Sequence, residues 1–310
     1  MRRDTRTGSI LIITLWMVTI LSMLAIAVAR YLSLEVRLTR YRTAREQALT
    51  LARDGVSLAI QQLAKDTQEP EEDGKVYDWA GDAWAEGPAV GHGTTVTVTD
   101  ESRRLSLNGA TIEELTGITG SAALAQVIVD ARDADDPEED HPTWDPPYLA
   151  KNAPFTAMEE LGELPEMTPE AYNTLQQTTS AYLTPEEPLN INTVSPEIMR
   201  LAGLSDRAVE LIVRFREGVD GPDAHEQDGV FREGGLMITE TLKNDAGVDF
   251  DGTPDGALLT SNRFGVTSNV FTITAETSAE RPMVRVRIQA VVRRTGCPET
   301  SGPCLLAWRE

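Results

Sequence analysis

The residues from Ile10 to Ala29 form a run of 20 without a charged side chain. At the rise of an α-helix this run spans about 30 Å, the thickness of the hydrocarbon core of a bilayer. Three arginines and one aspartate precede it, and this excess of positive charge favours a cytoplasmic amino terminus. The sequence therefore predicts one membrane-spanning helix over residues 10–29. Five arginines between Arg30 and Arg45 weaken the preference for this orientation.

The apolar pattern continues beyond the predicted membrane span. From about Leu38 to Leu63 apolar residues recur mostly three or four positions apart, as one face of a helix requires. We therefore expect a single helix over residues 9–65, with an amphipathic second half that packs on a folded body. One alternative is a cleaved secretory signal, because the small residues at Ala25, Ala27 and Ala29 loosely fit a cleavage site, and another is a signal anchor joined to an unrelated helix.

Length and charge limit the remaining possibilities. The chain has 310 residues, which favours two modest bodies on a common support, and 41% of them are hydrophobic, enough for a sizeable core. It carries 49 acidic and 28 basic residues, giving a formal net charge of −21. Such a charge repels polyanions, so non-specific binding of nucleic acid is disfavoured.

A sequence repeat occupies the middle of the chain. The segment from Leu107 to Leu115 returns, 84 residues later, from Ile191 to Met199. Each copy has an asparagine, then Thr or Ser placed to cap a helix, then a glutamate near the positive end of the helix dipole. Glycine-containing turns follow, so we expect two helical hairpins in an inserted all-α domain over residues 105–220.

Strand patterns flank this predicted domain. Residues 94–99 alternate like a half-buried strand, and so do residues 269–275 and 283–292, while residues 305–310 offer one more strand. The body would then comprise residues 66–104 and 221–310. We predict an α+β fold in which the long amino-terminal helix packs on an antiparallel sheet.

The amino end resembles a type IV prepilin signal. It has a short basic leader, then Gly8 and Ser9, then at once the apolar helix. Most pilins and pseudopilins have a glutamate at the fifth position after the cleavage site, where this chain has Ile13. The missing glutamate and the large size resemble the minor pseudopilin K family of the type II secretion system, also called general secretion pathway protein K. The ending Trp-Arg-Glu and the strand from Ser268 to Thr274 are also similar to that family.

The resemblance implies a processing route and a place in an assembly. A prepilin peptidase would remove residues 1–8 between Gly8 and Ser9, and the new amino terminus would be methylated. In pilin-like filaments the fifth-position glutamate pairs with the amino terminus of a neighbour, which Ile13 cannot do, so the subunit suits the filament tip. The implied partners are minor pseudopilins I and J, and no nucleic acid. The implied location is the inner membrane, single-pass, with the bulk of the chain in the periplasm.

Two acidic clusters raise the question of a metal. Closely spaced carboxylates are ligands that calcium favours, and the family resemblance implies structural calcium. Neither cluster fits the twelve-residue helix-loop-helix calcium pattern, and a solvated acidic surface is an equal alternative. The residues in question are Asp133, Asp135 and Asp136 in the first cluster and Asp249, Asp251 and Asp255 in the second.

Cys297 and Cys304 bracket a Pro- and Gly-containing loop. In an oxidising periplasm they would form a disulfide at a hairpin tip, whereas in a cytoplasmic body they would stay as two free thiols.

Two other functions remain open on the sequence. The hairpins resemble helix-hairpin-helix modules that bind DNA phosphates, but the first turn, Thr116–Ser121, has no basic residue. A signal-anchored periplasmic enzyme is the other alternative. The three histidines lack ligand spacing, and no phosphate-binding loop or nucleophile elbow is present, so we expect a protein that is not an enzyme.

Overall fold

The computed structural model describes residues 6–68, 74–91, 93–133, 151–217, 229–280, 282–297 and 302–310. Within these residues the helices are α1 (Arg6–Gln68), α2 (Ala83–Glu86), α3 (Ile112–Thr119), α4 (Ala122–Arg132), α5 (Pro169–Thr178), α6 (Pro196–Leu201), α7 (Asp206–Glu217), α8 (Leu236–Ala246) and α9 (Pro254–Thr260). The strands are β1 (Thr94–Asp100), β2 (Leu105–Ser106), β3 (Thr179–Ser180), β4 (Leu189–Asn190), β5 (Phe264–Gly265), β6 (Val270–Glu280), β7 (Met283–Arg293) and β8 (Cys304–Arg309).

Helix α1 is continuous over 63 residues, which corresponds to about 95 Å at the helical rise. It contains no proline, so no backbone hydrogen bond of the helix is lost to one. Its large apolar residues from Ile10 to Tyr41 are exposed. Further along, one stripe is buried at helical spacing, and it consists of Ala48, Leu49, Ala52, Val56, Ala59 and Leu63.

The stripe on α1 packs against one face of a four-stranded antiparallel sheet with the order β1-β6-β7-β8. Side chains alternate along each strand, so residues two apart lie on the same face. The face against α1 carries mainly aliphatic side chains and Phe271, and Trp84 of α2 meets Phe271 edge-to-face with ring centroids 5.0 Å apart. The predicted α+β fold, a long first helix on an antiparallel sheet, is confirmed.

A second hydrophobic core lies among the short helices. It contains buried residues from α3 to α9 and from β2, β4 and β5, beginning with Tyr77 and ending with Val266. Ile238 and Leu242 of α8 and Leu259 of α9 are fully buried in it. The expected end of the helical domain at residue 220 therefore differs from the structure. Of the described residues after 220, those up to Val266 pack with the helices, because α8 and α9 bury their apolar faces there.

The helical cluster is built from two copies of one unit. In the first copy β2 pairs in parallel with β3, and in the second β4 pairs in parallel with β5. Between its strands each copy has a helical hairpin, α3 and α4 or α6 and α7, and later a helix that begins with proline, α5 or α9. The sequence repeat thus extends to whole units of about 75 residues, which was not expected from the short matching segments.

Candidate functional site

The exposed apolar residues of α1 from Ile10 to Tyr41, which we call the stem, form the largest group of exposed apolar residues among the described residues. Of these residues, one helix is long and apolar enough to cross a membrane, and no residue of its most apolar stretch is buried by the part of the chain that the structure describes. Gly8 and Ser9 lie in the first turns of this helix. Ile13 follows one turn later and is 56% exposed, surrounded by other exposed apolar residues. The predicted cleavage position is therefore continuous with the stem.

The helix caps of the two units correspond position by position. Ser121 caps α4 by accepting a hydrogen bond from the amide of Leu124 at 3.2 Å, and Ser205, 84 residues later, accepts one from Ala208 at 3.3 Å. Thr111 and Glu114 form a capping box at the start of α3. Each such cap satisfies an amide that the first helical turn leaves without a partner.

The repeated asparagines have the same task in both units. The side chain of Asn108 accepts a hydrogen bond from the amide of Phe155 at 2.7 Å and donates one to its carbonyl at 3.0 Å. Asn192 does the same to Phe231, at 2.9 Å for both bonds. Each asparagine therefore binds both the amide and the carbonyl of one residue in the segment that follows its hairpin.

The repeated arginines also correspond. Arg132 of α4 donates to the carbonyls of Leu107 and Ala110 at 3.0 and 2.9 Å. Arg216 of α7 donates to the carbonyl of Val194 at 2.7 Å. These guanidinium groups face the interior of their own units, so they cannot serve a phosphate at the surface.

The second hairpin turn offers little for a phosphate. Arg200, which precedes it, forms an ion pair with Asp206 at 2.7 Å. Arg207 is exposed at the start of α7. The first turn has no basic residue, and one of the two arginines at the second turn is paired. The hairpins therefore lack the basic surface that binding of DNA phosphates requires.

A buried polar cluster joins the sheet to the helical cluster. Arg294, just after β7, donates to both carboxylate oxygens of Asp78 at 2.8 and 2.7 Å, and also to Asp66 at 2.8 Å. Asp78 is fully buried and accepts the amide of Ser268 at 2.6 Å. We call Asp66, Asp78, Asp100, Asn190, Ser268 and Arg294 the polar hub.

Asp100 at the end of β1 is the second carboxylate buried in the hub. It accepts hydrogen bonds from the hydroxyls of Ser268 and Thr193 at 2.7 and 2.5 Å and from the amide group of Asn190 at 3.3 Å. Burial raises the pKa of Asp100 to about 6, against the lowering effect of these hydrogen bonds. The hub thus connects β1, β4 and the start of β6 through one carboxyl group.

Asp82 lies beside the hub, at the start of α2. Its carboxylate accepts hydrogen bonds from the amide of Trp79 at 2.8 Å and from the indole of Trp84 at 2.9 Å. Burial, assisted by the nearby charge of Asp78, raises the pKa of Asp82 to about 7. The sequence interpretation did not identify the hub, because its members lie in six separate segments.

The second acidic cluster does not form a donor set for calcium. Asp249 is paired with Lys243 at 2.6 Å, and Asp255 accepts the amide and hydroxyl of Ser205 at 2.8 and 2.6 Å. Asp251 is exposed. Among the described residues no group of three or more histidine, cysteine or acidic side chains is placed to hold a metal.

The first acidic cluster lies only partly within the residues that the structure describes. Asp133 forms an ion pair with Arg132 at 2.7 Å. Asp135 and Asp136 lie outside the described residues. Calcium binding by this cluster therefore stays a prediction.

The two cysteines are joined in the structure. Cys297 and Cys304 form a disulfide with their Cα atoms 6.0 Å apart. Cys304 begins β8, so the bridge fixes the start of this edge strand to the chain that leaves β7.

A cleft of about 610 Å³ opens on the sheet face opposite α1. Its floor is formed by β1, β6, β7 and β8, and its wall by the residues after β1 and by α5. Four arginines line it, namely Arg103, Arg104, Arg287 and Arg309. The alternation of residues 94–99 predicted a polar outer face, but it did not predict the wall.

Comparison with known families gives one match within the helical cluster. Residues 110–185 match the family model for protein K of the type II secretion system. This segment contains α3, α4, α5 and β3, the greater part of the first repeated unit. It lies far from the leader, so it supports the resemblance to protein K from a different part of the chain.

Comparison with solved structures extends the likeness to most of the fold. The chain is similar to a chain in the crystal structure of the GspK-GspI-GspJ complex from the enterotoxigenic Escherichia coli type 2 secretion system, with a TM-score of 0.63 and 17% identity. The similarity covers 87% of this chain and 98% of the other. No curated protein matches.

Proposed function

We propose that the chain is a minor pseudopilin K of a type II secretion system, which caps or initiates the tip of a periplasmic filament for protein export. The observation that carries this proposal is helix α1. One uninterrupted helix runs from a membrane-length apolar stem to the stripe that packs on the sheet, so the stem and the body share one helix. The family match over residues 110–185 adds the helical cluster of protein K to this frame.

The proposed mechanism is packing and involves no catalysis. The exposed stem is stable in the inner membrane, where lipid covers its apolar side chains. On assembly the same side chains would leave the lipid and pack against the stems of other subunits. The body remains in the periplasm throughout, where the oxidising environment favours the bond between Cys297 and Cys304.

The place at the tip follows from Ile13 and from the helical cluster. An aliphatic side chain at this position provides no carboxylate for the amino terminus of a further subunit. The helical cluster adds a second core to the body, and this bulk hinders addition of a subunit above it. We propose partners corresponding to GspI and GspJ, which the similar structure holds in one complex with GspK.

Neither rival function has comparable support. The DNA interpretation needs exposed cations at the hairpin turns, but Arg132 and Arg216 donate to carbonyls of their own units and Arg200 is paired with Asp206. The enzyme interpretation needs an assembled set of reactive groups. The buried carboxylates of the hub are bonded to neighbouring side chains and backbone amides instead.

Leader removal provides the test of this proposal. We expect Gly8→Val to block cleavage by a prepilin peptidase, because a bulky side chain would occupy the residue that precedes the scissile bond. Amino-terminal sequencing of the membrane-extracted protein should give Ser9 for the wild type and the uncleaved leader for the variant.

Thr7→Val is the matched control, since it places the same side chain one residue earlier. It should still be cleaved before Ser9. A wild-type protein that begins near Ala29, or a Gly8→Val protein processed as usual, would contradict the proposal.

A further inference from the structure

The cleft on the outer sheet face has an ordered polar floor. The strand register places Thr97, Thr274, Gln289 and Arg309 side by side across β1, β6, β7 and β8. Neighbouring strands lie about 4.8 Å apart, so this row is about 14 Å long. Parallel rows run on both sides of it, because alternate residues of each strand face the same way. The floor therefore offers side chains at regular spacing, with threonine hydroxyls on β1 and β6.

The spacing along the strands matches an extended peptide. Thr95, Thr97 and Thr99 of β1 all line the cleft, and alternate residues of a strand are about 6.7 Å apart. Alternate residues of any other extended chain have the same repeat. A peptide lying along β1 would therefore meet a threonine hydroxyl at each second residue.

The charges in the cleft are not balanced among the described residues. Glu101 is paired with Arg104, whose terminal nitrogen lies 3.2 Å from both carboxylate oxygens, and it also accepts the hydroxyl of Thr272. Glu276 is paired with Arg287 at 3.5 Å. Arg309 is paired with Glu159 at 2.6 Å, so Arg103 is the arginine of the cleft without an ion pair among the described residues.

Arg103 and Arg104 have unused donors. Arg103 forms no hydrogen bond or ion pair with any described residue. The Nε atom of Arg104 is buried without an acceptor in the same part of the structure. Arg103 is an exposed residue; partial burial of its guanidinium and the neighbouring charge of Arg104 lower its pKa, against the raising effect of Glu101 and Asp100. A carboxylate bound in the cleft would give the guanidinium of Arg103 a charged partner.

We propose that this cleft binds an extended segment of a partner protein, with one carboxylate side chain of that segment between Arg103 and Arg104. The polar side chains of the sheet floor bind the backbone and the small polar groups of the segment. The two arginines select an acidic residue. The proposal does not depend on the role as a pseudopilin, since it rests on the cleft alone.

Peptide binding to the full chain in detergent tests this proposal. The probe is a fluorescein-labelled Thr-Glu-Thr-Glu-Thr peptide, followed by fluorescence anisotropy at about 0.15 M ionic strength. The Thr-Gln-Thr-Gln-Thr peptide should bind at least about tenfold more weakly, because a charge-assisted hydrogen bond is replaced by a neutral one. Arg103→Gln should weaken binding of the acidic peptide by about tenfold.

Arg285→Gln provides the matched control for charge. Arg285 lies on β7, is exposed and does not line the cleft, so this variant should bind like the wild type. Arg103→Lys should restore part of the affinity. Unchanged thermal unfolding of Arg103→Gln would show that the variant remains folded.

Several results would overturn the proposal. They are a wild type that does not bind the acidic peptide, equal affinity for the glutamine peptide, and equal losses in Arg103→Gln and Arg285→Gln. Polygalacturonate that displaces the peptide at a lower concentration of carboxylate than unlabelled peptide does would also overturn it, because the cleft would then select an acidic polysaccharide.

Discussion

At the scale of single residues, the polar hub decides how the sheet and the helical cluster are held together. Arg294 is the buried cation of the hub, and it binds Asp78 through two hydrogen bonds and stacks its guanidinium over Phe271 at 5.1 Å. Removing one partner of such a pair leaves the other charge buried, which is strongly destabilising. Among the described residues no cation lies at hydrogen-bond distance from Asp100 or Asp82, so their burial is only partly compensated.

We predict that the free energy of unfolding decreases as the pH rises from about 4 to about 7. The pKa values of Asp100 and Asp82 are raised in the folded protein, to about 6 and about 7, from an ordinary 3.8. The folded state therefore binds these protons more tightly than the unfolded state. The stabilisation is complete below the ordinary value and is lost as the pH rises through the raised values.

Denaturant unfolding at several pH values would measure this effect. Asp82→Asn and Asp100→Asn should each flatten the profile, because neither amide titrates. Asp54→Asn, an exposed change on α1, should leave the slope unchanged. A stability that increases over the same pH range would contradict the prediction.

At the scale of elements, the helical cluster is a duplicated unit with matched internal bonds. The sequence predicted the hairpins and their caps because the cap residues, Asn and the following apolar positions are local signals. The later helices α8 and α9 were not assigned to this unit, although the starts of α5 and α9 share a capping threonine followed by proline. Their inclusion depends on packing between residues distant in sequence, such as Ile238 and Leu259.

We predict that Asn108→Ala and Asn192→Ala destabilise the protein by similar amounts, about 2 kcal/mol each. Each variant loses three side-chain hydrogen bonds, two to the backbone groups of Phe155 or Phe231 and one to the carbonyl of Ala181 or Asp78. Chemical unfolding monitored by circular dichroism would give both values. Asn173→Ala, an exposed change in α5, should have an effect near zero. A loss at one asparagine alone would argue against equivalent units.

At the scale of the whole molecule, the stem and the body meet different environments. The apolar run and the later helical stripe predicted this division, since both are patterns within one segment. The hub and the outer-face cleft were not predictable, because they form only when β1, β6, β7 and the residues around Asp78 come together. Long-range pairings of this kind leave no periodic signal in the sequence.

We predict that a chain starting at Thr43 folds like the full protein. The buried stripe of α1 begins at Ala48, and the residues before Ala44 contribute nothing to the hydrophobic cores. The shortened protein should be soluble without detergent and monomeric in light scattering. Its thermal midpoint should lie within about 3 °C of the full chain, a difference that corresponds to about 1 kcal/mol.

A chain starting at Val56 serves as the comparison, because it lacks Ala48, Leu49 and Ala52 of the stripe. It should unfold at a clearly lower temperature. If the chain from Thr43 aggregates or melts equally early, the exposed stem contributes to the fold of the body.

The unbroken course of α1 also determines how force and orientation pass between its two ends. Within its packed part the glycine is Gly55, and a Cβ atom there would come within 2.7 Å of Val96, so this position serves close contact with the sheet and not bending. A pulling force along the axis of α1 must then act as a shear force between this helix and strands β6 and β7. Successive residues of an α-helix are related by a rotation of about 100° about the helix axis. A shift of the contacting face of α1 by one residue therefore turns the body about that axis by the same angle. In an array of subunits, the orientation of the body about the axis of α1 is therefore determined by which face of this helix contacts the neighbouring subunits.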